Sequence, residues 1–146
     1  MRRLVPAILT ITAVAAGAWA VQSARGAVSP EAIRAAGSWG RAIGVPGLAA
    51  LNKGGFASVR SVSCASPDYC AAGGDYFDGH GHSHGFVVVE RNGRWNKAIG
   101  VPGLGRLNKG GDAAVGSVSC PSPGHCTAAG IYRRSGHLQG FVTQTR

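Results

Sequence analysis

The chain has 146 residues, and its 15 lysines and arginines against six acidic residues give a net charge of +9. Twenty-four glycines, seven prolines and a single methionine argue against long helices outside the N-terminus and favour turn-rich β structure. The length suits one ordinary domain with a modest core, and six acids leave little material for acid–base chemistry.

The first segment opens with Met1-Arg2-Arg3, runs through an apolar stretch from Leu4 to Val21 and contains Ala18-Trp19-Ala20, a small-x-small cleavage pattern. Residues 1–20 therefore read as a helical secretory signal peptide, and the protein as secreted. The alternative is an uncleaved membrane anchor, because a bilayer span needs roughly 20 apolar residues. Pro6, Thr10, Thr12 and the many alanines weaken that alternative, and no stable membrane span is expected after cleavage. Cleavage removes two basic residues and no acidic ones, leaving 13 minus 6, or +7. A surface of that sign attracts anionic wall polymers, lipid headgroups and acidic glycans. The cations are scattered, with no basic helix or nucleic-acid motif, so no specific nucleic-acid partner is expected.

Residues 21–38 read as a linker, and 39–146 as a β domain built from two copies of one unit, about 39–94 and 95–146. Displacing the chain by 56 residues lays Trp39–Tyr76 over Trp95–Tyr132 with 25 of 38 positions identical. The shared text includes Ala42-Ile43-Gly44-Val45-Pro46-Gly47-Leu48 with Ala98-Ile99-Gly100-Val101-Pro102-Gly103-Leu104. After a one-residue gap, Gly85-Phe86-Val87 matches Gly140-Phe141-Val142. A period of this size indicates a solenoid, propeller or array.

Four strands are predicted per period. The first covers about Ser58 to Cys64, and a turn at Ser66-Pro67-Asp68 returns the chain into the second, about Cys70 to Tyr76. Cys70-Ala71-Ala72-Gly73-Gly74 has little side-chain bulk, so another strand or sheet can approach closely. Phe86 to Glu90 is the third, and Asn92-Gly93, a strong hairpin signal, leads into the fourth, Trp95 to Val101.

The expected fold is thus all-β, two four-stranded antiparallel propeller-like blades. The domain starts with fourth-strand text at Trp39 and stops after third-strand text, so the N-terminal strand is expected to complete the last blade. Propellers have about four to eight blades, and two cannot enclose an axis. Identical chains assembling into a ring, a face-to-face sandwich and a remnant of a longer array are the alternatives, with the homo-oligomer placed first.

All four cysteines share one spacing, Cys64-x5-Cys70 and Cys120-x5-Cys126. In an exported chain that pattern favours disulfides over zinc, and the local hairpins favour the pairings Cys64–Cys70 and Cys120–Cys126.

The pattern Ser-Val-Ser-Cys, five residues, Cys-x-Ala-x-Gly-x-Tyr, then Gly-Phe-Val and a Gly-x-Trp turn resembles the tandem repeats of secreted actinobacterial proteins. The resemblance covers Trp39 to Arg146 and implies a β-propeller-like blade, usually in more copies. It brings no catalytic residues with it. The second copy departs from the first where Ile131, Arg133 and Arg134 replace Asp75, Phe77 and Asp78.

His80, His82 and His84 share one loop and are candidate ligands for Zn, Cu or Ni. Only His82 has a counterpart, His137, and Gln139 replaces His84. Lacking a matching carboxylate, the loop reads as a polar tip, and no cofactor is expected. Trp39 and Trp95 are candidate sugar-stacking residues, or else packing residues. Asn52, Lys53, Asn108 and Lys109, in their Gly-Gly loops, are candidate anion contacts, or else plain turn chemistry.

The acidic side chains offer at most one pair for hydrolysis, Asp75 with Asp78, and no nucleophile or phosphate motif occurs. The functional expectation is a secreted non-enzymatic repeat module binding cell-wall polymer or glycan. A propeller-type glycoside hydrolase and an exported metal-binding protein are the alternatives.

Overall fold

The computed structural model describes residues 39–146, so the expected signal peptide and linker lie outside the described residues. The chain divides into two compact units, Met1–Gly40 and Arg41–Arg146. Of the first, Trp39 and Gly40 are described and have no regular structure. The second is mostly β, with two antiparallel sheets and two single helical turns. Among the described residues, no helix is long and apolar enough to cross a membrane.

Val45-Pro46-Gly47-Leu48 opens the domain. Proline cannot continue a strand ladder and Gly47 takes a left-handed φ of 77°, so the chain turns into α1, Leu48–Leu51. The same text at Val101–Leu104, with Gly103 at φ 79°, makes α2, Leu104–Leu107.

The first sheet contains β1 (Ala57–Ser66), β2 (Tyr69–Phe77) and β3 (Ser83–Arg91) in that order. Asn92 and Gly93, both at positive φ, close the next hairpin as their residue types predict. The outer edge of β3 then pairs with two short pieces, β4 (Arg94–Trp95) and β5 (Ile99–Gly100). The predicted fourth strand is therefore broken. Its Ala98 amide donates to the Pro46 carbonyl at 2.8 Å, a partner from the segment ahead of α1 that the strand pattern does not reveal.

The second sheet contains β6 (Ala113–Ser122), β7 (His125–Arg134) and β8 (His137–Gln144). It has three strands, one fewer than expected, and the segment from Trp39 does not complete it. Residues 39–45 are not a strand. Val45, Leu48 and Leu51 instead pack on Ala72, Phe86, Val88 and Ala98 of the first sheet, where apolar burial outweighs what the exposed edge of β8 offers.

The three strands of the second sheet match β1, β2 and β3 of the first. Both inner hairpins carry a register shift at corresponding places, between Val59 and Ser61 and between Val115 and Ser117. Their faces are buried unequally, because β6 lies against the first sheet. Val115 and Val118 are 0% and 9% exposed, whereas their counterparts Val59 and Val62 are 48% and 60%. Tyr69, Ala71, Val101, Leu104, Val115 and Phe141 belong to the core that joins the sheets.

Close approach explains the lack of bulk in β2. A Cβ at Gly73 would come within 2.6 Å of Val115 Cγ1, so the residue type sets the distance between sheets. Side chains also cap main chain across the contact, since Ser61 Oγ accepts from the Val118 amide and Ser63 Oγ from the Cys120 amide, both at 3.0 Å.

Both disulfides form with the expected pairing, Cys64–Cys70 and Cys120–Cys126, and no cysteine is free. Cys64 and Cys70 are direct register partners across the β1–β2 hairpin. Each bridge closes a short loop and contributes on the order of 2 kcal/mol by restricting the unfolded chain. Two such bonds fit an oxidising, extracellular environment.

Candidate functional site

The β2–β3 loop carries the densest group of chemistry-bearing side chains. β2 ends at Phe77, and Asp78 folds the loop back on itself, its Oδ1 accepting from the backbone amides of His80 at 2.7 Å and His82 at 3.0 Å. That local cap is the usual behaviour of an aspartate at a turn. Oδ2 points the other way, 3.2 Å from His82 Nδ1 and 3.0 Å from His84 Nε2. The amides and rings together hold the Asp78 carboxyl well below the usual carboxylate range, with the His82 amide the largest cause.

His84 lies in β3 and stacks on Tyr76 of β2 at 5.4 Å between ring centroids. Burial pushes the Tyr76 phenol up, which keeps that ring a neutral wall. Asp78, His82 and His84 each offer one ligand atom, and the three atoms lie within 4.8 Å of one another. Two imidazoles and a carboxylate suit a divalent transition metal.

The carboxylate is the residue the sequence reasoning missed. The histidine loop does have a partner, Asp78, four residues before His82 and six before His84, a spacing visible in the text. His80 contributes its backbone amide and is not among the three ligand side chains. The second copy has no equivalent, for Arg134, His137 and Gln139 occupy these places and Tyr132 donates to Gln139 Oε1 at 2.6 Å.

The remaining candidates are dispersed. Trp39 is fully exposed, while Trp95 is half-buried against the Ala72, Phe86, Val88 and Ala98 cluster. Asn108 is buried and structural. Its Nδ2 donates to the Ser83 carbonyl at 3.0 Å, and its Oδ1 accepts from the amides of Asp112 at 2.9 Å and Arg133 at 3.4 Å. Asn52 has a buried Oδ1 with no partner among the described residues. Lys53 and Lys109 are exposed.

Asp75 is 1% exposed and receives Arg60 Nε at 2.6 Å. The Arg60 pKa is raised by this hydrogen bond first and by the charge of Asp75 second. Asp75 is buried in an ion pair with Arg60, while Asp78 accepts from the amides and rings of its own loop. The pair of acids considered for hydrolysis is thus split between two separate tasks.

Between the sheets lies a cleft of about 570 Å³ lined by residues that include Ala71, Val87, Val89, Ile99 and Val118. On the opposite face of the first sheet a smaller one of about 220 Å³ is lined by Ile43, Pro46, Val59, Val62 and Trp95 among others. Ile43, Pro46 and Val62 correspond, 56 positions apart, to Ile99, Pro102 and Val118 of the large cleft.

Comparison with family models, with curated proteins and with solved structures returned no match to this chain.

Proposed function

We propose that this protein is a secreted, non-enzymatic module of propeller-like repeats that binds an anionic wall polymer or acidic glycan through its cationic surface. The observation that carries the reading is how the charges are arranged. Among the described residues, Asp75 and Asp112 are paired with Arg60 and Arg133, Asp78 is engaged by the histidines, and Glu90 is buried. Of the described acids, Asp68 alone is exposed without an ionic partner. Arg41, Lys53, Arg91, Arg94, Lys97, Arg106, Lys109, Arg134 and Arg146 are exposed, and none has an acidic side chain of the described residues within 4.0 Å.

Two of these cations recur in each copy, Arg41 with Lys53 and Lys97 with Lys109. A long polyanion engages such weak, equivalent points together, and avidity follows without any single deep pocket. Titration calorimetry with a polyol-phosphate polymer, a uronate glycan and a neutral glucan tests the reading. Both anionic polymers, or one of them, should bind with an affinity that falls as salt rises, and the double variant Lys53→Glu, Lys109→Glu should weaken binding about tenfold. Equal binding of the neutral glucan, or no binding of either polyanion at low salt, would overturn it.

A second reading, an exported metal-binding protein, is favoured by one observation, the Asp78 Oδ2 placed between His82 Nδ1 and His84 Nε2. Untagged protein should take up one equivalent of Zn²⁺ or Ni²⁺, and His84→Gln, which copies Gln139, should abolish uptake. Uptake unaffected by that substitution would sink the site. Protons compete for the same ring nitrogens, so acid should release the metal.

A further inference from the structure

The contact between the two sheets has counterparts on the outside of the molecule for most of its residues. Within the chain, the face of β2 and β3 bearing Gly73 and Val87 receives β6, with Ser61 and Ser63 capping the amides of Val118 and Cys120. The outer edge of β3 receives β5, pairing Val87 with Ile99 and Phe86 with Gly100, and the Val101 amide donates to the Gly85 carbonyl at 3.0 Å.

Most of these groups recur uncovered, the exceptions being Phe141 and Val45, which pack within the chain. On the second sheet, Ser117 and Ser119 stand at the places of Ser61 and Ser63 and are exposed. Val142, the counterpart of Val87, is 77% exposed, and it shares its sheet with exposed Ile131 and Leu138. The outer edge of β8 has no strand beside it among the described residues. On the first sheet, Val59 and Val62 are the exposed counterparts of the buried Val115 and Val118, and Ile43, ahead of α1, is exposed as its counterpart Ile99 is. Val62 faces Ala72 in the same register as Val118 faces Ala128, so its amide holds the edge position that Ser61 caps in the second copy.

We infer that the chain associates head to tail with copies of itself: β7 and β8 of one copy receive β1 and the Ile43–Gly44 segment of the next, as β2 and β3 receive β6 and β5 internally. The segment expected to complete the second sheet within one chain does so in trans, with Ile43 beside Val142 and Gly44 beside Phe141. Such a heterologous contact closes into a ring or continues as a filament. It gives the unpaired edge of β8 and the apolar faces on both sheets one occupant.

The outer contact is looser than the inner one at one point. Ala129 stands where Gly73 allows Val115 to approach, so Val59 of the next copy must sit slightly further away. The inference deepens the reading of the chain as a repeat module and does not depend on what that module binds.

The test is the mass of the oxidised full chain by sedimentation, with Val62→Glu and Val142→Glu as variants at exposed positions. The unmodified chain should exceed a monomer, and each variant alone should be monomeric because a carboxylate enters an apolar contact. An equimolar mixture should form a 1:1 pair and nothing larger, since each variant retains one intact face. Ala129→Gly should tighten association by roughly tenfold by relieving the close contact. A chain that stays monomeric, variants that keep the wild-type mass, a mixture that does not pair, or an Ala129→Gly chain with unchanged affinity would overturn the inference. Polymer binding measured on the monomeric variants reports on the proposed function separately.

Discussion

Glu90 and Thr145 hold corresponding positions in the two copies and have opposite fortunes. Thr145 Oγ1 accepts from the Cys126 amide at 2.9 Å and donates to the Gly124 carbonyl at 2.6 Å. Glu90 is 5% exposed, and neither carboxylate oxygen has a partner among the described residues. A buried polar group without a partner costs on the order of 1–3 kcal/mol. Glu90→Thr should therefore raise stability by about 1 kcal/mol, read as a higher urea midpoint with an unchanged slope. A lower midpoint would mean that the carboxylate is stabilised where it lies. Asp78 shows the contrary case, a carboxylate with more partners than its exposure requires. Its pKa is depressed in the folded state, so the stabilisation it lends its loop is full above the ordinary carboxylate value of about 3.9 and is lost only as pH falls through the lower folded value. The composition of this loop was readable from the text, whereas the direction of Oδ2 depends on backbone amides that only the folded turn brings round.

At the level of elements, the bulges and the glycines opposite them act together. A Cβ on Gly74 would run into the Ser58 carbonyl oxygen, and one on Gly130 into that of Ala114, at the same place in both inner hairpins. Main chain cannot step aside as a side-chain tip can. Gly74→Ala should cost roughly 1–3 kcal/mol, while Gly79→Ala, whose nearest neighbour is Lys53 Cβ at 3.6 Å, should stay within about 0.5 kcal/mol. Thermal melts of the two oxidised variants check this, and equal midpoints would refute the steric account. The hairpins at Ser66–Tyr69 and Asn92–Gly93 were legible because turn chemistry is local. The break between β4 and β5 was not, because the Pro46 carbonyl that takes the Ala98 amide lies some fifty residues earlier in the chain.

At the scale of the whole molecule, the cationic surface and the exposed apolar faces of the described residues carry separate proposals. Among the described residues, Asp75 and Asp112 are held in ion pairs and most of the cations face solvent. The resulting field is long-ranged and falls off over about 10 Å at 0.1 M salt, and this is why the proposed polymer binding carries a salt dependence. The apolar faces are of another kind, since each is the uncovered half of a contact that the chain already makes once. Burial of Val115 and Val118 shows how well these side chains pack when the partner is present.

The amino-acid sequence by itself determined the β class, the hairpin turns, both disulfide pairings and the correspondence of the two copies, because each depends on residue types a few positions apart or on direct comparison of text. Only the tertiary structure decided that the fourth strand is broken, that the N-terminal segment leaves β8 open, that Asp78 joins the histidines and that Asp75 is buried with Arg60. These outcomes depend on which distant groups compete for one amide, one apolar face or one carboxylate. That competition is settled by packing in three dimensions, where identical segments such as Ile43–Leu48 and Ile99–Leu104 meet different neighbours.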